Sequence, residues 1–184
     1  MLRTRPFHKP LLIALLAAPN LFACSSSDDL GLHDSHPGRI SADGVVLQGL
    51  ASEAQLSTFL DREPRDWAWA GGQFDLPEDE ATLAADIPQA FTWHADPADF
   101  TRVDAAGDAA VMTHFLDFSG ASSGGLLRVF TTLPQYTPDT AAWRTLVDAA
   151  EPITLSLTTG SFVGAELPED GGPFIGQSLT FTIE

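Results

Sequence analysis

Beyond residue 80, apolar and polar positions alternate with period two. Phe91 and Trp93 alternate with Thr92 and His94, Ile153, Leu155 and Leu157 with Thr154, Ser156 and Thr158, and Leu179, Phe181 and Ile183 with Thr180, Thr182 and Glu184. Such alternation predicts half-buried antiparallel strands. Val111 to Phe118 and Leu126 to Thr132 are further β-rich runs, joined across Ser119-Gly120-Ala121-Ser122-Ser123-Gly124-Gly125, whose glycines suit a hairpin. Only two stretches carry a helical period. Leu56, Phe59 and Leu60 recur at i, i+3, i+4 behind Ser52, a predicted N-cap. Trp143, Leu146, Val147 and Ala150 follow Thr137-Pro138-Asp139, with Pro138 expected at the first helical position and Pro152 ending the helix. Val45-Val46-Leu47 reads as a short strand.

Short strands punctuated by Gly and Pro turns, with one small helix in a crossover, predict an all-β fold, a single antiparallel β-sandwich. The expected division is a leader over residues 1–23, a polar tether over 24–44, a small N-terminal helical appendage over 45–75 and the sandwich over 76–184. On the residues Phe91-Thr92-Trp93 and Ile153 to Thr159, the sandwich resembles fibronectin type III and immunoglobulin-like domains, a resemblance spanning about Phe74 to Glu184. It implies a core tryptophan at Trp93 and a late central strand at Ile153 to Thr159. The Trp143 helix stands where such domains carry a leucine and a tyrosine at a corner.

The first 24 residues have another pattern. Arg3, Arg5 and Lys9 precede an apolar run from Leu11 to Ala18, and the small Ala23 precedes Cys24. That is the layout of an export signal, and the run is too short to span a bilayer, which needs roughly 20 apolar residues. Leu21-Phe22-Ala23-Cys24 resembles the lipobox of bacterial lipoproteins, departing from it at Phe22, where a small or β-branched residue is usual. The resemblance implies cleavage before Cys24, diacylation of its thiol and anchoring to a membrane. Because Ser25 rather than aspartate follows, it also implies the outer membrane of a Gram-negative cell. A secreted protein cut after Ala23 is the rival. Ser25-Ser26-Ser27-Asp28-Asp29 then forms a polar tether.

Charge and composition narrow the function classes. The 184 residues hold 9 Lys+Arg against 25 Asp+Glu, a formal net charge of -16. Such a chain repels phosphate backbones, so nucleic acid is not an expected partner. The single cysteine excludes an internal disulfide and a thiolate zinc site.

Candidate chemistry is sparse. Gly120-Ala121-Ser122-Ser123-Gly124 fits the G-x-S-x-G string of serine hydrolases, yet a strand rather than a helix follows, and the last histidine, His114, precedes it. The string therefore reads as a flexible hairpin loop. His33, Asp34 and His36 lie in the linker without a second ligand cluster, so no metal site is assigned to them. His94 and His114 would meet only if their strands paired. Glu78-Asp79-Glu80 and the group Asp96, Asp99, Asp104 and Asp108 are acidic stretches for which calcium is the one cofactor worth naming, although the preferred reading is that they keep an exported protein soluble. Trp67 and Trp69, at i, i+2, are the candidate binding residues, for a glycan or protein ligand if exposed and as anchors of the appendage if buried. No catalytic residue is singled out. The expectation is a non-catalytic binding or structural module, anchored to the membrane through lipid on Cys24, and the alternative is an envelope hydrolase acting on glycans through surface carboxylates.

Overall fold

A computed structural model describes residues 38–66, 71–95 and 110–184. All of them belong to the second of two units into which the chain divides, Ser35–Glu184. In chain order the elements are β1 (Arg39–Ile40), β2 (Val46–Gln48), α1 (Glu53–Leu60), β3 (Arg65–Asp66), β4 (Gln73–Leu76), β5 (Ala81–Leu83) and β6 (Phe91–His94). There follow β7 (Val111–Gly120), β8 (Gly124–Thr131), β9 (Gln135–Tyr136), α2 (Thr140–Asp148), β10 (Ile153–Phe162) and β11 (Phe174–Ile183).

The long alternating strands form the middle of the larger sheet, ordered β1-β2-β8-β7-β10-β11-β3 with β5 also on β11. Register sets the core: Leu116 pairs Leu157, Phe118 pairs Leu155, and Leu155 and Ile153 pair Leu179 and Phe181, which puts all of these apolar side chains on one face. A smaller sheet, β4-β6-β9, brings Phe91, Trp93 and Tyr136 into the same buried cluster, and α2 adds Trp143 and Leu146. Aromatic edges interlock there, Phe91 lying 5.1 Å from Phe118 and 5.4 Å from Phe181 between ring centroids. The chain is thus an all-β, sandwich-like fold.

The opposite face is divided. At one end Phe115, Phe130, Leu47 and Phe162 cluster with Leu56 and Phe59 of α1. Phe59 lies 5.3 Å from the Phe130 ring and 6.1 Å from that of Phe115. Gly160 of β10 sits under Phe59, where a β-carbon would strike the ring. At the other end the face carries Ser119, Thr154, Ser156, Ser178 and Thr180, none of them buried, as is usual where antiparallel strands keep one wet side. The sheet as a whole is mixed, with parallel pairings at its edges, where an antiparallel sandwich was expected.

The helices start where side chains satisfy free amides. Ser52 caps α1 in a full capping box, its hydroxyl accepting from the Gln55 amide while the Gln55 side chain accepts from the Ser52 amide. For α2 the cap is Asp139, whose carboxylate accepts from the Ala142 amide at 2.8 Å. This corrects the place expected for Pro138, which stands before the cap and not at the first helical position. A carboxylate able to accept the orphan amide outcompetes a proline whose only contribution is a preset φ. The helix ends before Pro152 with Ala150 in the left-handed region at φ 51°.

Within the segment 45–75, expected as a helical appendage, β2 and β3 join the larger sheet and β4 begins the smaller one. Val46, Leu47 and Gln48 pair in parallel with Val129, Phe130 and Thr131, and Arg65 and Asp66 pair with Phe174 and Ile175. The exposed edge of β11 is covered piecewise: by β3, by the Gly72 carbonyl accepting from the Gln177 amide, by Asp79 accepting from the Thr180 amide at 2.7 Å, and by β5. Such covering blunts an edge that would otherwise pair with another chain. Among the described residues no helix is long and apolar enough to cross a membrane.

Candidate functional site

The turn between β7 and β8 holds a carboxylate. Gly120 and Gly124 pair as the ends of the hairpin, and Gly124 takes φ 73°, so Ala121-Ser122-Ser123 forms a tight loop. Glu151, directly after the left-handed Ala150, reaches into it. Its Oε2 accepts from the Ser122 hydroxyl at 2.6 Å and amide at 2.9 Å, and its Oε1 accepts from the Ser123 hydroxyl at 2.5 Å and amide at 3.0 Å. The Ser122 and Ser123 hydroxyls, then their amides, hold the Glu151 carboxyl down at about 2. A carboxylate that acidic is a poor general base at neutral pH, and no imidazole stands in the loop. The G-x-S-x-G string is therefore occupied as a carboxylate clasp.

The two strand histidines do not meet. β6 belongs to the smaller sheet and β7 to the larger, so the strands face each other across the core and do not pair. His94 points outward, half-exposed or more, with Nδ1 2.7 Å from Asp75 Oδ1 on the neighbouring β4. His114 points inward beneath Trp93, their ring centroids 5.4 Å apart in an edge-on arrangement. It is one of a row of side chains on the core face, in register across four strands: Gln48, Thr131, His114 and Thr159. Thr131 Oγ1 accepts from the Leu133 amide at 2.9 Å. Gln48 Oε1, Trp93 Nε1 and His114 Nδ1 are buried without a hydrogen-bond partner. Burial pushes the His114 imidazole down to about 4, so it is neutral at pH 7.

The acidic stretch Glu78-Asp79-Glu80 is a backbone latch, with Asp79 on the Thr180 amide and the Glu80 amide on the Thr180 carbonyl. Among the described residues no three His, Cys, Asp or Glu side chains are grouped to hold a metal ion. Cys24, Trp67, Trp69, the linker residues His33, Asp34 and His36, and Asp96, Asp99, Asp104 and Asp108 lie outside the described residues.

One surface feature was not read from the sequence. Leu50 is 81% exposed and Leu133 37% exposed. They are brought together where β2 and β8 end, the Leu50 amide donating to Thr132 Oγ1 at 3.0 Å. The signal available beforehand was an apolar residue placed directly after Gly49, which takes φ 67° and turns the chain outward.

Compared with models of protein families, with curated proteins and with solved structures, the chain matches none.

Proposed function

We propose that the protein is an exported lipoprotein, acylated on Cys24, whose sandwich serves as a non-catalytic binding or structural module at the envelope of a Gram-negative cell, with its anchor in the outer membrane. The observation that carries this reading is the order of the first 24 residues: a basic start, a short apolar run, then Leu21-Phe22-Ala23-Cys24 and a serine-rich tether. Two acyl chains on one cysteine suffice for stable anchoring, each buried methylene contributing about 0.8 kcal/mol. The non-catalytic part is supported by the state of the one hydrolase-like string, whose serines are bonded to Glu151. Within this reading the sandwich is immunoglobulin-like or fibronectin III-like. Trp93 supports that assignment by sharing one core cluster with Leu155 and Leu157 of a central strand.

The test is intact-mass spectrometry of membrane fractions from cells expressing the wild type and Cys24→Ala. Loss of Met1 to Ala23 with a diacylglyceryl mass on Cys24, absent from the variant, is the expected result. A full-length, unmodified chain in the cytosol overturns the reading.

A further inference from the structure

The described chain begins at a particular corner of the sheet. Gly38 lies against Val46 and Leu47, and the next residue, Arg39, pairs with Leu47, so the chain joins the larger sheet beside the end of β2. From that same end β2 leaves through Gly49 and Leu50, and β8 leaves through Thr132 and Leu133. A β-carbon at Gly49 would meet the Leu133 side chain, so the two exposed leucines share one apolar tip.

Charge at the tip is unlike that of the molecule. The net charge is -16, and beyond Lys9 the basic residues are Arg39, Arg62, Arg65, Arg102, Arg128 and Arg144. One of these six is at the tip: Arg39 is exposed and donates to the Ala51 carbonyl at 2.9 Å, next to Leu50. The acid nearest to Leu50 in the chain, Glu53, lies in the first turn of α1.

We infer that the tip formed by Leu50, Leu133 and Arg39 is a docking surface for the phospholipid bilayer, with the leucines in the interfacial layer and the guanidinium at the phosphates. The inference rests on the anchoring reading above, in which residues 25–37 join Cys24 to the chain at Gly38, at this corner. A chain of that length holds Gly38 within about 50 Å of the acylated residue along any path. Exposed leucines beside an arginine match the interface, whose outer layer is anionic at the phosphates and whose inner layer is apolar. Docking would fix which side of the sandwich faces the membrane and leave the turn between β7 and β8, at the far end of the same strands, pointing away from it.

The experiment uses the full, lipidated protein on phosphatidylcholine vesicles containing brominated phosphatidylcholine. Leu50→Cys, Leu133→Cys and, at the opposite end of the sheet, Thr182→Cys each receive an environment-sensitive fluorophore. Cys24 is spared because its thiol is in a thioether. The expected result is co-flotation of all three proteins, with blue-shifted, bromine-quenched emission at positions 50 and 133 and water-like emission at 182. Flotation with water-like emission at 50 and 133 overturns the docking surface and leaves the anchor standing. Equal quenching at 182 overturns the orientation. Failure to float overturns the anchoring reading, and the docking surface with it.

Discussion

Trp93 and His114 meet edge-on between the two sheets, 5.4 Å between ring centroids, and each keeps a buried nitrogen without a hydrogen-bond partner. An indole N–H and a neutral imidazole nitrogen left dry cost stability that their aromatic packing must offset. The contact therefore makes the core sensitive to anything that charges the imidazole.

Acid should weaken the fold through His114. Its folded value is near 4 against an ordinary 6.5, so as pH falls the unfolded chain takes up a proton that the native state refuses. Stability is complete above about pH 6.5 and is lost as pH falls toward 4. From these values the loss between pH 7 and pH 5 is about 2 kcal/mol. Urea unfolding at the two pH values measures it, and His114→Leu should remove most of the difference. A wild-type difference that persists in the variant would assign the acid sensitivity elsewhere.

Glu151 should titrate far below the ordinary glutamate range. Carboxyl carbon shifts followed by NMR are expected to place it near 2, and Ser122→Ala with Ser123→Ala to return it toward the ordinary glutamate range. Because its folded value is depressed, the clasp contributes above about pH 4.5 and is lost as pH falls through 2. Glu151→Gln should leave the fold intact and speed hydrogen exchange at the Ser122 and Ser123 amides. Unchanged exchange there would mean that the clasp does not order the turn.

Ala150→Gly should stabilise. Ala150 sits at φ 51° after the end of α2, where a β-carbon crowds the following carbonyl and glycine does not. The expected gain is about 0.5–1 kcal/mol, after the larger entropy of an unfolded glycine is subtracted. It is read as a raised urea midpoint with an unchanged slope. A lowered midpoint would show that the left-handed turn is not the strained element.

Phe59→Ala should cost about 3–5 kcal/mol. The ring is 2% exposed, wedged between Phe115 and Phe130 over Gly160, and with Leu56 it packs α1 into the same buried cluster. Leu60, one residue on and 44% exposed, serves as the comparison: Leu60→Ala should change stability by well under half as much. Equal losses would mean that α1 is held by something other than this face.

The strands were legible because their period was local. Ile153, Leu155 and Leu157, like Leu179, Phe181 and Ile183, alternate with hydroxyl residues, and a side chain's face in a strand follows from its parity alone. Ser52 and its helix were legible for the same reason, since a cap and its amide lie three residues apart. The proposal of a leader ending before Cys24 rests on short-range order as well, and order of that kind also showed that Ser122 and Ser123 lacked the surroundings of a nucleophile.

Partners distant in the chain were not legible. Nothing near Ser122 announces Glu151, 29 residues on, because the approach depends on where α2 ends and on the left-handed Ala150. Nothing near Val46 announces Val129, since a three-residue parallel pairing leaves no turn signature between its strands. Parity put His114 on the core face, but only the stacking of two sheets placed it under Trp93 and sent His94 to the outside. Likewise Leu50 and Leu133 are ordinary loop residues until β2 and β8 end side by side. Local periodicity decides which way each side chain faces, whereas tertiary packing decides what it meets there, because loop paths and sheet order are set by contacts summed over the whole core.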